Sequence, residues 1–155
     1  MNKVMTADEM RQEMGLTGEK IVSNMLNSLG LRVEHAINKF DNKKDFVVDG
    51  KSVEVKTQTP NVMKDCFSFR TNQLQKCKNV DVLYVVTVPH PKFKHFSDGK
   101  IYRIDTEKFR HYNYTTRNGI QMVGIPIRQE AVIFVKDLEP EEVAELKKYI
   151  ITDYN

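Results

Sequence analysis

Asp45, Glu54 and Lys56 are the residues whose types and spacing could do chemistry, and all three lie in the stretch KDFVVDGKSVEVKTQ from Lys44 to Gln58. Paired carboxylates can hold a hard divalent cation through oxygen. A lysine beside them can orient a bound water, help to deprotonate it, or stabilise charge developing on a phosphate. Such work requires the three side chains to be gathered on one surface, and the local sequence supplies the means. Phe46, Val47 and Val48 form a β-rich run, Asp49-Gly50 is a two-residue hairpin signal, and Ser52 to Thr57 alternates polar with apolar residues. The turn fixes the register, so Val48 is predicted to pair with Lys51, Val47 with Ser52 and Phe46 with Val53, which brings Asp45 opposite Glu54. Asp45, Val47, Ser52, Glu54 and Lys56 then share one face for chemistry, and Phe46, Val48, Val53 and Val55 share the other as core. Opposed Cβ atoms in such a pair lie roughly 4.5–5.5 Å apart, where like charges repel unless a cation sits between them.

A solvated surface hairpin is the plain alternative. Against it stand the strand signal, the defined turn, the opposed acids and Lys56 placed two residues beyond Glu54. Asp45, eight intervening residues and then Glu54-Val55-Lys56 resemble the signature of the PD-(D/E)XK nuclease superfamily, with Lys44 standing where that pattern carries proline. The resemblance implies an α/β, restriction-endonuclease-like fold: a mixed central β-sheet flanked by helices in a single domain over residues 1–155. It implies Mg²⁺ or Mn²⁺ held by Asp45 and Glu54 and by the peptide carbonyl of Val55. It also raises Glu19, on the first core helix, as a third catalytic and metal-binding acid, although an acid in a helix's first turn also complements the helix dipole. Gln73, on the helix after the Glu-x-Lys strand, becomes a candidate contact to the site or to a nucleic-acid backbone, or else an ordinary surface residue. Gln58, Lys43, Lys44, Lys92 and Lys94 are further candidate nucleic-acid contacts.

The chain's 155 residues and 18.1 kDa suit one domain, and a net charge of +3 with pI near 8.8 permits a polyanionic partner without requiring one. Cys66 and Cys77 have no metal-knuckle spacing. His35, His90, His95 and His111 form no zinc pattern, and no serine or cysteine has a triad partner. The polar N-terminal stretch has no secretory h-region, and no run reaches about 18 apolar residues, so a cytoplasmic, reduced protein without a membrane span is expected.

The elements that must carry the site follow in order. Thr6 to Glu9 fits a capping box opening a short helix to Gly15, and Thr17 caps a second helix with an apolar stripe of Ile21, Val22, Met25, Leu26 and Leu29, ended by Gly30. Leu31 to Ala36 is predicted as a strand. The loop after it contains Asp41, a rival to Asp45 as first ligand. Phe67 and Phe69 suggest a short extended piece, and Arg70 to Asn79 a helix with Leu74 and Cys77 inward. Val80 to Val88 is apolar enough for a strand covered on both faces, hence the sheet centre. Pro89 to Gly99 is a loop interleaving basic and aromatic residues, suited to phosphate and base contact or to simple solvation. Beyond it come a strand at Lys100–Asp105, a short helix at Thr106–Tyr112, a turn at Arg117–Gly119, a strand at Ile120–Ile127 with Pro126 at an edge, a strand at Ala131–Val135, and a helix from Pro140 carrying Val143, Leu146 and Ile150.

The expected activity is metal-dependent endonucleolytic hydrolysis of phosphodiester bonds in DNA. Small size and element order resemble archaeal Holliday-junction resolvases and short restriction-type endonucleases, which implies a homodimer. A branched-DNA resolvase, an RNA endonuclease and a non-catalytic nucleic-acid-binding module on the same fold remain the alternatives.

Overall fold

Thr6 and Glu9 close a reciprocal cap: Thr6 Oγ1 accepts the Glu9 N–H at 3.1 Å, and Glu9 Oε1 accepts the Thr6 N–H at 3.3 Å. From it a single helix, α1 (Ala7–Ser28), runs unbroken and is terminated at Gly30, whose φ is +83°. The two helices expected from the sequence are thus one. Thr17 is no cap, since its hydroxyl donates back to the Glu13 carbonyl at 2.8 Å. An internal glycine costs a helix about 1 kcal/mol. The apolar stripe from Met14 through Ile21, Val22, Met25 and Leu26 packs on one core and outweighs the cost of Gly15.

The computed structural model describes residues 4–35, 45–60, 65–89 and 99–150. Its strands are β1 (Val33–His35), β2 (Phe46–Val48), β3 (Lys51–Gln58), β4 (Cys66–Arg70), β5 (Val82–Thr87), β6 (Lys100–Ile104), β7 (Tyr112–Thr115), β8 (Gln121–Pro126) and β9 (Val132–Asp137). A 3₁₀ turn at Thr71–Gln73 leads into α2 (Leu74–Asn79), and α3 (Pro140–Lys147) follows β9 with Pro140 in its first turn. The strands form a six-stranded sheet in the order β1-β2-β3-β5-β6-β9 and a three-stranded sheet in the order β4-β8-β7. The first is mixed: β3 and β5 run parallel at its centre, and every other pairing in it is antiparallel. The α/β architecture, with a mixed sheet flanked by helices, is as the sequence suggested.

The central position of β5 follows from its composition. Tyr84, Val86 and Val88 join the core beneath α1 and α3, while Leu83 and Val85 join a second core shared with Phe67, Phe69, Val123 and Ile125 of the smaller sheet. Alternate side chains are buried on opposite faces, so the strand reads as an uninterrupted apolar run. Its parallel register with β3 is pinned at one end. Asp81 Oδ2 accepts the Ser52 N–H at 2.9 Å and its hydroxyl at 3.2 Å, while Ser52 Oγ accepts the Asp81 N–H at 3.0 Å.

Two later expectations are corrected. Thr106–Tyr112 is not a helix: Lys108 and Phe109 N–H groups both donate to the Asp105 carbonyl, closing one turn, after which buried Phe109 anchors the chain and Tyr112 begins β7. Pro126 lies on β8, the central strand of the smaller sheet, not on an edge strand. It is tolerated because β7 pairs only with residues 121–124, leaving Pro126 without a partner on that side. Among the described residues no helix is long and apolar enough to cross a membrane.

Candidate active site

Asp49 and Gly50 have φ values of +48° and +82°, the backbone that a two-residue hairpin turn demands. The turn sets Val48 against Lys51, Val47 against Ser52 and Phe46 against Val53, as its sequence requires. The ladder stops there. Asp45 donates its N–H to the Val53 carbonyl at 2.8 Å, and its Oδ2 accepts the Val55 N–H at 2.6 Å. Asp45 therefore does not continue the pairing squarely opposite Glu54 but leans across the edge of β3. A carboxylate accepting a main-chain N–H is a charge-assisted bond, and it satisfies a donor that β2 is too short to reach. Within a strand, the N–H and C=O of one residue point to the same edge, so the Val55 carbonyl lies on the side occupied by Asp45.

Glu54 and Lys56 share the opposite face from Val53 and Val55, and at Glu54 that face is closed to solvent. Gln73 of the 3₁₀ turn and Lys76 of α2 close over it, β4 is tied to its far end at Gln58, and Glu54 is only 1% exposed. The expected split of side chains between the two faces of β3 is seen, with Val53 and Val55 in the core beneath α1 and Glu54 and Lys56 on the other side. Glu54 is buried at the middle of this face, a polar centre in which the Lys56 and Lys76 side chains keep 20% and 22% of their surface exposed. Glu54 Oε1 lies 3.1 Å from Lys56 Nζ and 3.2 Å from Lys76 Nζ. Glu54 Oε2 is buried without a hydrogen-bond partner among the described residues. Lys56 Nζ also donates to Gln73 Oε1 at 3.1 Å, so Gln73 is part of the centre rather than a free surface residue. Lys76, three residues after Gln73 and on the same side of the turn, is a further member of the centre that no local sequence pattern marks.

Glu19 reaches the site from α1, across the sheet from α2. Gly18 permits this approach, since a Cβ there would fall 1.8 Å from Thr57 Oγ1. Burial, the charge of Asp45, a hydrogen bond to Asp45 and the charge of Glu54 push the Glu19 carboxyl up to about 8, against a smaller opposing pull from Lys76. Glu54 is also raised, first by burial and then by Asp45, with Lys56 and Lys76 opposing. Glu19, Asp45 and Glu54 are therefore close enough to resist ionising together. Burial pushes the neighbouring Cys77 thiol up to about 11, which keeps it protonated and unsuited to act as a nucleophile.

Gln58 is occupied elsewhere. Its Nε2 donates to the Ser68 carbonyl and its Oε1 accepts the Ser68 N–H, both at 2.8 Å, tying β3 of the large sheet to β4 of the small one. Lys43, Lys44, Lys92, Lys94, Asp41 and most of the loop from Pro89 to Gly99 lie outside the described residues.

Among the described residues no three His, Cys, Asp or Glu side chains gather as a preformed metal cluster. Asp45 is turned to the Val55 N–H, and Glu54 Oε1 to two ammonium groups. The donor chemistry nonetheless fits a hard divalent cation. The available atoms are oxygens, Glu54 Oε2 is buried and unpartnered among the described residues, and the repulsion among three acids is what a dication relieves. No protein-family model matches the sequence, and no curated protein matches it either.

Proposed function

We propose that this chain is a divalent-metal-dependent endonuclease hydrolysing phosphodiester bonds in DNA, on a restriction-endonuclease-like version of the α/β fold. The observation that carries the reading is buried Glu54 with Lys56 Nζ 3.1 Å from it, set beside Asp45 and Glu19 at the edge where β2 ends. Glu54, Asp45, the Val55 carbonyl and Glu19 would hold Mg²⁺ or Mn²⁺, which when bound acidifies water and neutralises charge on phosphate. Lys56 keeps a fixed cationic tip in the site because Gln73 and Glu54 hold it from two sides. From there it can orient the attacking water and stabilise the extra charge of the pentacovalent phosphate. Raised Glu19, protonated near neutral pH until a cation arrives, is placed to exchange a proton with a nearby water.

The test is cleavage of linear, single-stranded, branched and supercoiled DNA, with matched RNA, in Mg²⁺, Mn²⁺ or EDTA. Wild type is compared with Glu54→Ala and Lys56→Ala. Metal-dependent products lost in both variants support the reading and rank the substrates, branched junctions included. Full activity in both variants overturns it. Salt-sensitive binding without cleavage by wild type points instead to a non-catalytic nucleic-acid-binding module, which the neutralisation of Glu54 by two lysines would suit.

A further inference from the structure

We infer that Lys76 is an exchangeable counter-ion: it holds the charge of Glu54 while the site is free of metal and leaves when a divalent cation binds. The inference rests on the metal-dependent reading above.

Lys56 and Lys76 both approach Glu54 Oε1, at 3.1 and 3.2 Å, yet they are held differently. Lys56 is fixed by a second bond to Gln73 Oε1 and rises from the central strand β3. Lys76 rises from α2, a helix of six residues, and among the described residues its one bond is the ion pair with Glu54. Its side chain is 22% exposed, so the end of a four-carbon stem can swing to solvent without disturbing the core.

A carboxylate that is 1% exposed is costly to keep charged without a partner. Lys76 lowers that cost in the empty site. A dication drawn to Oε2 and to Asp45 would repel both ammonium groups, and the one tethered once yields before the one tethered twice. Displaced to the rim, Lys76 becomes a mobile cation at the entrance to the site, where an incoming phosphate would meet it. Lys76 is on this account a positioning residue for the metal and not a metal ligand.

The test measures Mn²⁺ affinity by calorimetry and the melting temperature with and without Mn²⁺, in wild type, Lys76→Gln and the same-helix control Lys78→Gln. Lys76→Gln is expected to melt lower than wild type without metal and to bind Mn²⁺ more tightly, by about three- to tenfold, since no resident cation has to leave. Lys78→Gln is expected to match wild type in both. Unchanged or weaker Mn²⁺ binding by a folded Lys76→Gln overturns the inference while leaving the metal site standing. Absence of Mn²⁺ binding by wild type itself overturns the metal reading and this inference with it. Should Lys76→Gln fail to fold, NMR of the lysine side chains in wild type decides. Mg²⁺ should move the Lys76 Cε signal to that of a free surface lysine and leave Lys56 in place, whereas an unmoved Lys76 signal refutes the exchange.

Discussion

Gly18 on α1 and Thr57 on β3 are packed so closely that a methyl group on the first would overlap the hydroxyl of the second, 1.8 Å from Oγ1 and 2.9 Å from Cβ. The contact brings the helix backbone down onto the sheet one residue before Glu19. Gly18→Ala should push α1 away, destabilising the fold by about 1–3 kcal/mol as overpacking does. Because Glu19 moves with it, metal binding should weaken as well. Thr57→Ala in the same chain removes the 1.8 Å overlap and should recover part of the loss, the remaining 2.9 Å approach to its Cβ still costing something. Denaturation of the two single variants and the double variant measures the coupling, and additive effects would argue against the contact.

Asp45 has two roles that substitution can separate. Asparagine keeps an oxygen to accept the Val55 N–H, whereas alanine leaves that donor without its partner. Asp45→Asn is therefore expected to fold with wild-type stability or better, since it also relieves repulsion toward Glu19 and Glu54, but to lose metal-dependent cleavage. Asp45→Ala should lose cleavage and about 1–3 kcal/mol of stability. Paired urea titrations and cleavage assays distinguish the two.

Glu19 gives the protein a characteristic response to pH. Burial, then Asp45, hold its carboxyl at about 8 in the folded chain, against 4.5 when unperturbed. Between those values the folded state binds a proton that the unfolded state has lost, so stability is greatest below the window and falls as pH rises through it. Glu19→Gln removes this dependence. Between about pH 5 and about pH 9 wild type should lose several degrees more of melting temperature than Glu19→Gln, taking roughly 2–4 °C per kcal/mol for a chain of this size. Saturating Mg²⁺ should flatten the wild-type curve toward that of the variant. Parallel curves for the two metal-free proteins would contradict the placement of Glu19.

Gln58 joins the two sheets through both ends of one amide. Gln58→Ala removes two bonds to half-buried main-chain groups of Ser68, and a loss of about 1–2 kcal/mol is expected. If its role is confined to this bridge, DNA affinity measured well below the melting temperature should be unchanged. A selective loss of affinity without loss of stability would restore Gln58 as a nucleic-acid contact.

The hairpin was the most legible part of the chain because its information is local: Asp49-Gly50 dictates the turn, and the turn dictates which residues of β2 and β3 meet. Central β5 was legible for a similar reason, since burial on both faces leaves a continuous apolar run. What the sequence hid depends on contacts between distant segments. No local pattern shows that Gly15 is overridden by packing of α1, that Tyr112 to Thr115 joins a second sheet through β8, or that this sheet packs on Leu83 and Val85 of β5. Gln73 and Lys76 show the boundary within one helical turn. The first was named from a resemblance, and the second went unread because nothing local distinguishes a lysine facing a buried acid from one facing water.

The parallel pairing of β3 with β5 also orders events in time. Glu54 lies beside Leu83, 29 residues further along, and the intervening crossover contains β4, the 3₁₀ turn and α2. The β2–β3 hairpin can close early, since its ends are near neighbours, but the crossover must lose far more chain entropy before β5 docks. The surroundings of Glu54 are complete only when that crossover is in place, since Gln73 and Lys76 belong to it. By this entropy argument the charged centre is expected to form after the hairpin, and a chain arrested before the crossover docks would carry the hairpin without the lysine and glutamine that surround Glu54.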